Sequence, residues 1–225
     1  MHSCRCVQAY CHGRGGRELG QQWYEAGRHL NKLNGVKDFT ACAQYMASPD
    51  SLLRDFVNDA EDERNSNTFI AAKAFSAGGV VVGASVNEIP ELFQAASLTN
   101  AFLDVMGSMS NASLHLTEHE WDEFGDPRDK SSYSSIARYC PLMNVKRQGY
   151  PAMLLVGTVD DENVPFQHAL SFGRKVRDNC DSGQAGILLN IEREGGHHLH
   201  GKSLEVSALE VSFILCQYSK WLKKE

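Results

Sequence analysis

Two short apolar runs late in the chain, residues 153–157 and 186–191, are separated by a segment of helix length. Runs this short, bounded by polar residues, read as buried strands. Residues 165–176 between them read as a helix, with Pro165 at a first-turn position that proline tolerates. A helix between two strands makes them parallel neighbours, because a connection of that length is a crossover and not a hairpin. Upstream, residues 69–75 form another apolar run. A helical stretch through Val80, Val81 and Ala84 follows and closes at Asn87 and Pro90, and residues 95–98 read as a further strand. The alternation predicts an α/β fold, a mostly parallel sheet with helices on both faces.

The remaining segments are read by the same rules. Residues 7–11 are expected to be the end of a strand, and His12-Gly13-Arg14-Gly15-Gly16 a flexible turn. Residues 19–33 and 39–46 read as helices. Residues 51–67 are charged and polar, with a short amphipathic piece at Leu52, Leu53 and Phe56, and read as a surface excursion. In the last segment Leu204, Ala208, Val211, Leu215, Tyr218 and Leu222 recur at steps of four and three, which predicts one packed helix face.

The 225 residues suffice for one domain, 1–225, and no repeat or linker divides them. The net charge of -6 disfavours nucleic acid as a partner, since phosphate binding needs clustered Lys and Arg. No apolar run approaches the roughly 20 residues of a membrane span. The start, Met1-His2-Ser3-Cys4-Arg5-Cys6, has no apolar core of a secretory signal. Seven scattered cysteines fit reduced thiols and a cytoplasmic location. Cys4, Cys6, Cys11 and His12 lack the C-x2-C spacing of a zinc knuckle, and His197, His198 and His200 have no carboxylate at ligand spacing. No metal or other cofactor is expected.

The chemistry gathers at the predicted strand ends, where parallel sheets bind ligands. Ser76 follows the run 69–75 directly, inside Ala74-Phe75-Ser76-Ala77-Gly78-Gly79. A serine hydroxyl needs a base within hydrogen-bond reach and a carboxylate to orient that base. A sharp strand-to-helix turn with small neighbours presents such a serine, in the pattern G-x-S-x-G. Here the first glycine is Ala74 and the second is Gly78. The N–H of Ala77 would supply one oxyanion donor. Val159-Asp160-Asp161-Glu162-Asn163-Val164 follows the strand at 153–157, and Glu194-Gly195-Gly196-His197-His198 follows the strand at 186–191. The order Ser, acid, His is that of the α/β-hydrolase fold.

These segments resemble the catalytic domain of the prolyl oligopeptidase family of serine peptidases. The resemblance is carried by Arg14-Gly15-Gly16-Arg17-Glu18-Leu19-Gly20 with Trp23 and by Phe75-Ser76-Ala77-Gly78-Gly79. Pro90-Glu91-Leu92-Phe93, Gly125-Asp126-Pro127, Tyr139-Cys140-Pro141 with Asn144-Val145, and Tyr150-Pro151 extend it from about Cys11 to the C-terminus. It implies an α/β-hydrolase fold and cleavage of small peptides through a triad of Ser76, Asp161 and His197. The family's D-x-R-V register selects Asp161, with Asp160 as the alternate acid. Its distance from the last strand selects His197, with His198 as the alternate base.

The chain departs from the family pattern. Asn163 stands where the family has an arginine that anchors the substrate, and it offers no charged fork. The family carries an N-terminal β-propeller and further sheet strands ahead of this region, so the chain reads as N-terminally truncated, lacking the first strands and the propeller. A tyrosine that supplies a second oxyanion donor lies in that missing part. Ester or thioester substrates, as in the endopeptidase-like branch, are the alternative to peptides, and a non-catalytic interaction protein is the competing class. Glu118, Glu120, Asp122 and Glu123 surround Trp121 in a stretch where the oligopeptidase B branch carries acids. If Glu120 and Asp122 point into the site they would favour basic substrate side chains; the alternative is a solvated acidic helix end.

Overall fold

The computed structural model describes residues 6–52, 68–181 and 186–223. Strands β1 (Ala71–Phe75), β2 (Ala95–Thr99), β3 (Ala152–Thr158) and β4 (Ile187–Glu192) form one sheet in the order β1-β2-β3-β4. Every neighbouring pair is parallel, with Ala71 opposite Ala95, Ala95 opposite Ala152 and Met153 opposite Ile187. The strands step in one direction, so right-handed crossovers place their helices on a single face. These are α3 (Gly78–Glu88) and α7 (Gln167–Asn179), joined there by α2 (Leu33–Ala47). Ala43, Val82, Val86, Ala169 and Phe172 pack on Ala96, Leu98, Met153 and Leu155.

Alternate strand residues point the other way. Ala95, Leu154 and Val156 meet Val206 and Phe213 of α8 (Ser203–Leu222), which covers the opposite face. Truncating a side chain as enclosed as Phe172 in such a core costs about 3–5 kcal/mol. The connection between β2 and β3 builds a third cluster. There α4 (Val105–Met109), α5 (Thr117–Phe124) and α6 (Lys130–Tyr139) pack Val105, Met109, Phe124, Ile136 and Tyr139 against Phe102 and Val80. The α/β architecture, the four strands and the helices on both faces follow the sequence reading.

Several local expectations need correction. Residues 7–11 form no strand, and Val7 and Tyr10 are exposed. The single helix expected over 19–33 is broken into α1 (Gln21–Glu25) and a 3-10 turn at His29–Asn31, after which α2 absorbs the helix expected at 39–46. Gly27 sits at the break, where a Cβ would lie 2.1 Å from the carbonyl carbon of Arg14, so only glycine fits where the two segments touch. Helix α7 begins at Gln167, which leaves Pro165 ahead of its first turn. Of the excursion at 51–67, Leu52 is exposed, whereas residues 53–67, with Leu53 and Phe56, lie outside the described residues.

The face of α8 is the largest correction. Leu204, Val211, Leu215 and Leu222 are exposed, and the sheet instead receives Val206, Glu210 and Phe213. Glu210 is almost fully enclosed. It accepts hydrogen bonds from Ser97 Oγ at 3.3 Å and Thr99 Oγ1 at 2.5 Å and pairs with Lys73 Nζ at 2.6 Å. The helix is apolar around most of its circumference, so spacing alone does not choose a face. The hydroxyls of β2 do, because a buried carboxylate needs partners.

No helix among the described residues is long and apolar enough to cross a membrane. Among the described residues no group of three or more His, Cys, Asp and Glu is arranged to hold a metal ion, and Cys4 lies outside them.

Candidate active site

Ser76 leaves β1 on a turn whose φ of 52° puts it in the left-handed region. A non-glycine residue held there costs on the order of 1–3 kcal/mol and persists only where its surroundings fix it. The Ser76 N–H donates to Thr99 O at 3.1 Å, and its carbonyl accepts from Gly79 N and Phe102 N, both at 2.9 Å. Gly79 permits this closeness, since a Cβ there would lie 2.6 Å from Ala101 Cβ. A Cβ at Gly78 would make ordinary contact, 3.7 Å from Ala74 Cβ. Gly79→Ala is therefore expected to lower stability by about 1–3 kcal/mol. Gly78→Ala should leave it level or raise it by up to about 1 kcal/mol, through helix propensity. Thermal unfolding checks the pair, and equal melting temperatures for the two variants would contradict this reading.

Asp161 follows β3, and its side chain is fully shielded from solvent. One oxygen, Oδ1, accepts from the N–H groups of Asn163 and Val164, each at 2.9 Å. These turn bonds aim the carboxylate at the loop after β4, where His197 Nδ1 lies 2.8 Å from Oδ2 and 3.0 Å from Oδ1. The other ring nitrogen, Nε2, lies 2.8 Å from Ser76 Oγ. A carboxylate can only accept, so Nδ1 carries the ring proton and Nε2 is left to accept from the serine hydroxyl. The imidazole is also packed against the Phe75 ring, centroids 5.0 Å apart. Next to Ser76, the Ala77 N–H donates no hydrogen bond among the described residues.

The two alternates are placed elsewhere. Asp160 accepts instead from Gly195 N at 3.2 Å and Gly196 N at 2.8 Å. His198 is exposed, its ring near those of His200 and Phe75. Asn163 is exposed and contributes its N–H to Asp161.

Glu120 and Asp122 sit on α5, and neither is bonded to Ser76, Asp161 or His197. Burial pushes the Glu120 carboxyl above its usual range, and nearby Glu123 adds to the shift. Asp122 lines a cleft of about 410 Å³ together with Glu25, Arg28, His29 and Trp121. The Arg28 guanidinium donates to the Asp122 carbonyl at 3.0 Å. Glu123 is committed to structure, for it accepts from Tyr24 Oη at 2.8 Å and pairs with Lys32.

A scan against family models matches the prolyl oligopeptidase family over residues 4–223. The chain belongs to the prolyl oligopeptidase family. It is similar to prolyl endopeptidase-like from Homo sapiens, 34% identical over 218 residues, which cover 92% of this chain and 28% of the relative. It is also similar to Protease 2 of Moraxella lacunata, 37% identical over 207 residues, covering 90% of this chain and 28% of that one. Among solved structures, oligopeptidase B from Leishmania major superimposes with a TM-score of 0.78 at 32% identity, over 92% of this chain and 27% of the other. The chain thus spans about 28% of the length of the curated relatives it matches.

This prolyl oligopeptidase-family chain shows what its glycine-rich motif does. Arg14 grips Asp38 through Nε at 2.8 Å and Nη2 at 2.6 Å, and its N–H adds a third bond at 2.8 Å. The guanidinium holds the Asp38 carboxyl below its usual range. Trp23 Nε1 donates to Gly13 O at 3.0 Å, and Gly35 and Gly27 leave room for the Arg14 main chain. The motif is a brace between the first segment and α2.

Two buried residues beside the site carry no sequence signal of their own. Asn100 follows β2, and its side chain donates to the carbonyl of His197 at 2.8 Å. His168 on α7 accepts at Nδ1 from Leu103 N at 3.2 Å and Asp104 N at 3.3 Å, and its Nε2 lies 3.1 Å from Ser108 Oγ. Their partners lie some 60 to 97 residues away along the chain, so only the folded structure reveals them.

Proposed function

We propose that this chain is the catalytic part of a serine peptidase that cleaves small peptides through Ser76, His197 and Asp161. The carrying observation is the relay of contacts, Ser76 Oγ to His197 Nε2 at 2.8 Å and His197 Nδ1 to Asp161 Oδ2 at 2.8 Å. Ser76 Oγ attacks the substrate carbonyl carbon as its proton passes to His197 Nε2, while Asp161 steadies the imidazolium. The Ala77 N–H donates to the oxyanion that forms. Collapse breaks the C–N bond, His197 returns the proton to the leaving amine, and water releases the acyl group by the same steps. Family membership supports peptide substrates, as do relatives named Protease 2 and oligopeptidase B.

Esters or thioesters are the second reading, and Asn163 favours it. Without a guanidinium to fix the peptide, a better leaving group suits the site more than an amide does. Matched amide and ester substrates decide between the two. Peptide turnover supports the first reading, and ester turnover alone supports the second.

Glu120 and Asp122 are proposed to receive a basic side chain next to the scissile bond. A charged hydrogen bond contributes about 1.5–3 kcal/mol, so substrates with Lys or Arg should exceed neutral analogues in kcat/KM by roughly tenfold or more. Glu120→Gln with Asp122→Asn should erase the preference. Equal cleavage of basic and neutral substrates by the wild type would remove this assignment.

A further inference from the structure

We propose that Asn100 and Asp160 are positioning residues that grip the main chain of the His197 loop from two sides and so fix where its imidazole stands. The inference rests on the proposed catalytic role of His197. The loop after β4 has turns of its own, with the His200 N–H donating to Gly195 O at 2.7 Å and the Leu199 N–H to Gly196 O at 3.3 Å, but its backbone is unusual. Gly195, Gly196, Leu199 and Gly201 all have positive φ, at 129°, 60°, 55° and 76°. Glycine loses the most conformational freedom on ordering, so contacts from outside add to what its own turns supply in fixing a segment this rich in it.

Two side chains at neighbouring strand ends hold it. Asp160, past β3, takes the N–H groups of Gly195 and Gly196 on its two oxygens, at 3.2 and 2.8 Å. Asn100, past β2, takes the carbonyls from the other side, with Nδ2 2.8 Å from His197 O and 3.5 Å from Gly196 O. A carbonyl only accepts, so Nδ2 and not Oδ1 must face the loop. Thr158, itself buried, fixes that orientation by donating its hydroxyl to Asn100 Oδ1 at 3.1 Å. Asn100 is held in turn, with a φ of 42° that asparagine tolerates and its N–H bonded to Val156 O at 2.9 Å. The peptide that carries His197 is thus tied to β2 and β3, close to the strand ends that present Ser76 and Asp161. A displacement of about 1 Å at such a site costs on the order of 100-fold in rate.

Asn100→Asp is the sharpest probe. Aspartate tolerates the same backbone angle and still accepts from Thr158, but it turns an oxygen toward two carbonyl oxygens. Asn100→Gly removes the amide without straining φ, and it serves if the Asp variant does not fold. Asp160→Ala removes both acceptors, whereas Asp160→Asn keeps one. The first readout is independent of turnover: solvent exchange of the His197 Nδ1 proton by NMR on histidine-labelled full chain. The second is kcat and KM on the best ester or peptide substrate. We expect Nδ1–H protection to fall at least tenfold in Asn100→Asp, Asn100→Gly and Asp160→Ala, and to recover in part in Asp160→Asn. We expect kcat to fall about 10- to 100-fold with KM within about threefold. Protection unchanged in Asn100→Gly and Asp160→Ala overturns the inference. Protection lost in the variants while no form of the chain turns over substrate upholds the positioning and instead overturns the catalytic reading.

Discussion

Replacing His197 by alanine is expected to lower kcat by on the order of 10⁴ to 10⁶, while His198→Ala stays within about threefold of wild type. The two imidazoles are neighbours, with centroids 5.2 Å apart, so a loose account of the loop would let either one act as the base. Geometry separates them. The His197 ring stands between Ser76 Oγ and Asp161 Oδ2 with 2.8 Å on each side. The His198 ring lies outward, 5.9 Å from Phe75 and 6.1 Å from His200. The Asn100 side chain donates to the His197 carbonyl, in keeping with the positioning role proposed for it. Steady-state kinetics of the two variants on one activated ester checks the assignment. A large loss in His198→Ala with a small one in His197→Ala would reverse it.

A second large effect is expected in stability, at His168. Burial pushes this imidazole down to about 4 from the ordinary 6.5, although Asp104 and Asp161 pull weakly the other way. Its Nδ1 faces two main-chain N–H donors, so a proton there would meet other protons. The folded chain therefore keeps His168 neutral down to about pH 4, whereas the unfolded chain protonates it below about 6.5. Between those values the unfolded state holds the extra proton, so stability falls as pH falls. The loss accumulates to about 3 kcal/mol at pH 4 and vanishes above about pH 6.5. His168→Asn keeps an acceptor for Leu103 and Asp104 but cannot titrate. Urea unfolding between pH 7 and 4 should show a slope in the wild type that is shallower by about one proton in the variant. Identical slopes would contradict the assignment.

Much of the fold could be read from the apolar runs, because a buried parallel strand has little freedom in composition. Residues 95–98 and 153–157 lie within β2 and β3, each of which is covered on both faces. The face of α8 could not be read, since Leu204, Val211 and Leu215 are as apolar as Val206 and Phe213. What decides between them is the pairing of Glu210 with Ser97, Thr99 and Lys73 across the sheet. The break after Glu25 was signalled only by Gly27, whose partner Arg14 is distant in sequence. Within the candidate site, the convergence of Ser76, Asp161 and His197 could be anticipated because each follows a strand end. The family register pointed to Asp161 over Asp160, but the bonds of Asp160 to the main-chain amides of Gly195 and Gly196 could not be read from sequence. Asn100 and His168 were silent because their partners come from other segments.

The central claim is that Ser76 is a nucleophile activated by His197. Labelling by a fluorophosphonate, followed by mass spectrometry of the modified peptide, tests it most directly. Wild type is predicted to take up one label, on the peptide containing Ser76, and to lose nearly all of it in His197→Ala. Ser76→Ala is predicted to take up none. Equal labelling of wild type and Ser76→Ala, or a label on any other residue, would contradict the account.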